Sequence, residues 1–164
     1  MPFEGIMQPK IIEIDGQIRL RAFDGNFAIA YAWYQDPIVY KNSEGRDEPV
    51  DLAYIEKMYH YLDSVGELYF IEILVDGSYQ AIGDITVKAV NPPIVIGDSN
   101  YRGKGIGKKV MQAMIARAKE LNFEKICDSE VYDYNLESIK LHESLGFKPT
   151  GKKDNTWFYE LKLF

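Results

Sequence analysis

Three glycines alternate through Arg102-Gly103-Lys104-Gly105-Ile106-Gly107, and the clearest helical stripe in the chain follows at once: Ile106, Val110, Met111, Met114, Ile115, Ala118 and Leu121. Residues without a Cβ let the backbone turn sharply and approach a ligand closely, and the first turn of the helix points unpaired N–H groups back at the loop. Arg102, Lys104 and Lys108 add positive charge at the same end. A loop of this kind is an anion site suited to a diphosphate. Spacing excludes two common phosphate binders. A P-loop would need glycine at 102 and Ser or Thr at 109, where arginine and lysine stand. A dinucleotide fingerprint counted from Gly103 needs a sixth-position glycine, which is Lys108.

The rest of the chain frames this loop. Ile11 to Ile14 and Ile18 to Arg21 flank Asp15-Gly16 and predict a hairpin, so residues 1–16 are an N-terminal extension or its first strand. Asp24 to Tyr34 reads as a helix that Asp24 caps and Asp36-Pro37 ends, and a polar loop then leads to a second helix from about Val50 to Ser64. Leu68 to Val75 and Tyr79 to Val90 make a hairpin around Asp76-Gly77, and a short strand covers Ile94 to Gly97. Beyond the glycine loop the pattern predicts a strand at Lys125 to Tyr132, a helix from Leu136 to Leu145 and two closing strands. The order predicts one α/β (α+β) domain over 1–164, with a mixed, mostly antiparallel central sheet flanked by helices.

Composition removes several classes of function. A formal charge of −6 and a pI near 5.0 argue against a general nucleic-acid binder and suit a cationic partner. The one cysteine, Cys127, rules out an internal disulfide, and no His or Cys spacing signals a metal. The start lacks signal-peptide order and no apolar run reaches membrane length, so the expectation is a cytoplasmic protein without a membrane partner.

Arg-x-x-Gly-x-Gly at 102–107, a strand before it, and a later helix carrying Asn135-Leu136-Glu137-Ser138, Leu141-His142 and Leu145-Gly146-Phe147 together resemble the GNAT superfamily of acyl-CoA-dependent N-acetyltransferases. The resemblance covers roughly residues 18 to 163 and implies acetyl-CoA as cosubstrate, with no metal. By the same resemblance, the backbone of Arg102 to Gly107, with Lys108 beside it, holds the pyrophosphate. The main chain of Val95, Ile96 and Gly97 pairs with the pantetheine arm like an added strand. Asn135 and Ser138 touch the cofactor, although a plain helix cap explains them as well. Trp33-Tyr34-Gln35-Asp36-Pro37 followed by Val39 is similar to the subgroup of ribosomal-protein N-terminal and aminoglycoside 6'-N-acetyltransferases.

One departure concerns chemistry. Many family members carry a tyrosine where this chain has His142, and the resemblance makes that position the proton donor to the departing thiolate. An imidazole can serve as donor, or the histidine can be structural. For the general base the chain offers Asp98, Asp84, Asp128 and Glu130, of which Asp98 and Glu130 are preferred for nearness to the expected thioester. The expected reaction is direct transfer through a ternary complex to a small-molecule or peptide amine. The rival is a non-catalytic acyl-CoA-binding or regulatory domain, and a homodimer is left open.

Overall fold

The computed structural model describes residues 2–164. A first sheet holds β1 (Ile11–Glu13), β2 (Ile18–Ala22), β3 (Glu67–Val75), β4 (Ser78–Val87) and β5 (Ile94–Ile96), each paired antiparallel with the next. A second contains β6 (Lys125–Tyr132), β7 (Lys148–Lys153) and β8 (Thr156–Lys162), with β8 in the middle. The antiparallel sheet of the sequence pattern is thus present in two pieces. Its parallel part shrinks to one bridge, Val90 to Cys127, where Cys127 N–H donates to Ala89 O and Asn91 N–H to Cys127 O, both at 2.8 Å. Beyond that bridge β5 and β6 part, and the cavities described below open between them.

Four helices, α1 (Pro37–Asn42), α2 (Leu52–Val65), α3 (Ile106–Glu120) and α4 (Leu136–Ser144), cover the sheets. Alternate residues of β3 enter different clusters. Tyr69 and Ile71 pack with the α3 stripe, while Leu68 and Phe70 pack with Trp33, Tyr34, Ile55 and Tyr59. A strand buried on both faces explains the unbroken apolar run at 68–71. Buried Glu67 holds α3 to β3 by accepting Arg117 Nε and Nη2, both at 2.9 Å. Among the described residues, no helix is long and apolar enough to cross a membrane.

The first helical segment is corrected. Residues 24–36 form two 3-10 turns, Ala28–Ala30 and Trp33–Gln35, and Asp24 caps neither: its carboxylate accepts the local Asn26 N–H and Arg21 Nη1. Asp36-Pro37 begins a helix where it was expected to end one. The Asp36 carboxylate accepts Ile38 N–H at 2.9 Å, and Pro37 sits in the first turn, where its missing donor is not needed. Asp51 caps α2 in the same way through Tyr54 N–H.

Candidate active site

A groove of about 280 Å³ runs from β5 to the glycine loop and the start of α3, with α4 as its other wall. Gly97 N–H donates to Ile82 O and Thr86 N–H to Pro93 O, so the antiparallel alternation makes Asp84–Val95 the bonded pair. The main-chain groups of Ile94 and Ile96 therefore face the open edge. Of the three residues expected to meet the pantetheine arm, Val95 gives its backbone to β4, and Ile96 turns its main chain to the edge with its C=O accepting Arg102 Nε. Gly97 is corrected to a packing glycine. Its N–H and C=O are both engaged, and a Cβ there would run into the Trp33 ring.

The loop fits a diphosphate. Gly103 and Gly105 adopt φ of +72° and +78°, and nothing lies within 4 Å of a Cβ built on either. Among the described residues, the N–H groups of Gly103 to Lys108 donate to no protein acceptor, so they stay free for a bound anion. Gly105 leads into α3 in the left-handed conformation, Ile106 anchors the first turn in the core, and Gly107 and Lys108 line the groove. The Arg102 side chain serves differently from the expectation. Nε donates to Ile96 O at 2.9 Å, Nη2 to Gly97 O at 3.0 Å and Nη1 to the Asp36 carboxylate at 3.0 Å, so this guanidinium clamps the loop to β5 and α1. Lys104 sits over the Tyr101 ring and does not line the groove.

A second cavity of about 130 Å³ adjoins the first, and Asn42, Ser43, Ile94, Val95, Asn135 and Ser138 line both. Asn135 caps α4 by accepting Ser138 N–H at 3.3 Å while also facing both cavities, so capping and lining are compatible. Glu44, Asp84, Glu130 and His142 line the second cavity, and among the described residues no lysine or arginine does.

Asp84 is 1% exposed, and its Oδ2 accepts the Tyr59 and Tyr34 hydroxyls at 2.7 and 2.8 Å. Burial lifts this carboxyl from its ordinary range to about 6, against the downward pull of the two phenols. Burial and the Asp84 charge raise both tyrosines, which keeps them protonated donors. His142 is 5% exposed, and burial lowers its imidazole below the usual value.

Of the two preferred bases, Asp98 lines neither cavity. It caps a 3-10 turn at Ser99–Tyr101 by accepting Asn100 N–H at 3.0 Å. Glu130 does face the second cavity, but its carboxylate accepts Asn91 Nδ2 at 3.0 Å across the seam between the sheets. Asp128 is exposed and lies off both cavities. Asp84 is thus the buried carboxylate of the site. The sequence marks Tyr34, Tyr59 and Glu44 only as members of the aromatic and acidic segment from Tyr31 to Tyr61, whose aromatics are more simply core and whose acids more simply face solvent, and it gives no signal for Tyr132; for Asp84 the signal is an acid inside the apolar run 81–87.

The model of the Acetyltransferase (GNAT) family matches residues 30–147. Uncharacterized protein MJ1062 of Methanocaldococcus jannaschii is 29% identical over 162 residues, covering 94% of this chain and 33% of that protein. The spermine/spermidine N(1)-acetyltransferase of Bacillus subtilis is 35% identical over 57 residues, 35% of this chain and 38% of that one. The chain therefore spans about a third of the length of the curated relatives it matches. Among solved structures, a domain from Methanocaldococcus jannaschii superimposes with a TM-score of 0.78 at 27% identity, covering 90% of this chain and 99% of that one. The yncA protein of Salmonella typhimurium, solved with its cofactor acetyl-CoA, superimposes with a TM-score of 0.68 at 20% identity, covering 90% of this chain and 94% of that one. The family model spans well over half of the described residues and includes the groove, the glycine loop and α4: the chain belongs to the GNAT acetyltransferase family.

Proposed function

We propose that the protein transfers the acetyl group of acetyl-CoA to a primary amine by direct attack within a ternary complex. The observation that carries this is the shared wall of the two cavities. A ligand whose diphosphate sits on the free N–H groups of 103–108 and whose arm follows the edge of β5 ends where the carboxylate-lined cavity begins. Acetyl-CoA supplies an activated acyl carbon there. The protein supplies donors for the diphosphate, a strand edge for the arm and a cavity free of cations for the acceptor.

Glu44, Asp84 and Glu130 suit an acceptor that arrives as an ammonium, and a spermine/spermidine acetyltransferase among the partial relatives supports the same class. Cys127 lines neither cavity, which favours direct transfer over an acyl-enzyme. Thiol release from acetyl-CoA, followed across a panel of small and peptidyl primary amines, tests the reading. Saturable, amine-dependent release is expected. Tight acetyl-CoA binding with no release on any amine would replace it with a non-catalytic acyl-CoA-binding domain.

A further inference from the structure

His142 Nδ1 lies 2.7 Å from the main-chain oxygen of Ser138. A carbonyl oxygen only accepts, so the proton of the neutral ring is on Nδ1 and the lone pair is on Nε2. The ring is held in place by Phe147 and Tyr159, with centroids 5.0 and 5.6 Å away, and it lines the second cavity. Among the described residues, Nε2 has no protein partner, and neither has Asp84 Oδ1, since both phenols bond to Oδ2. Among the described residues, the one sealed side-chain polar atom without a partner is Thr86 Oγ1, so Nε2 and Oδ1 are not sealed off. The other titratable groups around the cavity and the ring are Glu44 from the loop after α1, Tyr34, Glu130 and Tyr132 of β6, and Tyr159 of β8. The two residues that carry these unpartnered acceptors line one small cavity whose described lining holds no lysine or arginine.

We propose that His142 is the proton acceptor for the incoming amine, a role that precedes and supplies the donor role expected at its position, while Asp84 holds the ammonium as the proton leaves. This rests on the acetyl-transfer reading above. An ammonium carries the N–H donors that both atoms lack. Its first proton passes to Nε2, and the freed nitrogen pair forms the N–C bond as the carbonyl pair moves onto oxygen. Re-formation of the carbonyl breaks the C–S bond, and the pair leaves with sulfur. The second amine proton passes to water. The imidazolium then returns the first proton to the thiolate, which is downhill because an ordinary thiol, near 8.5, is the weaker acid. Burial favours the neutral imidazole, so Nε2 is ready to accept at neutral pH.

Steady-state kinetics with a turned-over amine, together with ¹⁵N NMR of the imidazole in wild-type protein, test the assignment. His142→Gln is expected to lower kcat by about 100-fold, the scale of one general base, while moving the amine KM by less than about threefold. Asp84→Asn is expected to raise the amine KM by about tenfold or more, the scale of a charged hydrogen bond. The NMR spectrum at pH 7.5 is expected to show a protonated Nδ1 and a bare Nε2. A His142→Gln enzyme with unchanged kcat, or a wild-type ring protonated on Nε2, overturns the assignment. The NMR readout decides even if the variant fails to fold. Absence of thiol release from wild-type protein with every amine overturns the acetyl-transfer reading itself, whereas a kcat that His142→Gln leaves unchanged overturns only the role of His142.

Discussion

Asp84 is held where water barely reaches it, and the folded state consequently prefers the protonated acid. Its carboxyl rises from 3.8 to about 6 on folding. The stability this preference contributes is full below about pH 4 and is lost as pH rises through about 6, a swing of about 3 kcal/mol for a shift of about two units. Asparagine in the same place still accepts the two phenols but carries no charge. Asp84→Asn is therefore expected to be the more stable protein at pH 8 in urea unfolding, with the difference closing below about pH 4. A variant no more stable than wild type at pH 8 would contradict the burial argument. Residues of this kind were half legible. The acid stood out in Ala81-Ile82-Gly83-Asp84-Ile85-Thr86-Val87, but Tyr34 and Tyr59 lie 50 and 25 positions away and no local pattern links them to it. Asp98 misled for the opposite reason. Its position after the cofactor strand suggested chemistry, whereas its carboxylate turns back onto Asn100 N–H two residues on.

The element that reads best from sequence is the glycine loop with α3, because its anion site is built from consecutive residues and its stripe is buried as the spacing requires. The segment at 24–36 reads worst. Helical spacing of its apolar residues is real, yet Trp33 must pack on Gly97 and Tyr34 must reach Asp84, and two short turns meet those demands where the expected helix does not form. Arg102 couples these two regions through its three bonds to Ile96, Gly97 and Asp36. A lysine preserves the charge but cannot present the same planar fork. Arg102→Lys is expected to weaken CoA binding about tenfold, about 1.4 kcal/mol, while unfolding remains a single cooperative transition. Isothermal titration with CoA measures it, and an unchanged dissociation constant would show that the loop keeps its position without the clamp.

At the scale of the molecule, function depends on two sheets that meet at one point and then separate. Strand patterns revealed the eight strands but not the seam, because a register of two holds equally well in one sheet or two. What fixes the seam is a clasp beside the parallel bridge. Asn91 donates Nδ2 to Glu130 Oε2 and accepts Glu130 N–H on Oδ1, both at 3.0 Å, with its own backbone left-handed at φ +50°. Asparagine suits both demands, since it tolerates that conformation and offers a donor and an acceptor together. Asn91→Ala loses both bonds and adds backbone strain, so a destabilisation of about 1–3 kcal/mol is expected from urea unfolding. The cavities lie in the gap that the clasp helps to set, so the same variant is expected to raise KM for both acetyl-CoA and amine. Glu130→Gln keeps an oxygen for the Asn91 amide and its own main-chain N–H, so its stability is expected to stay within about 0.5 kcal/mol of wild type, as for an ordinary exposed substitution. If Asn91→Ala retains both its stability and its KM values, the seam is held by the backbone bonds at Ala89, Asn91 and Cys127 alone, and the spacing between the cavities owes nothing to the clasp.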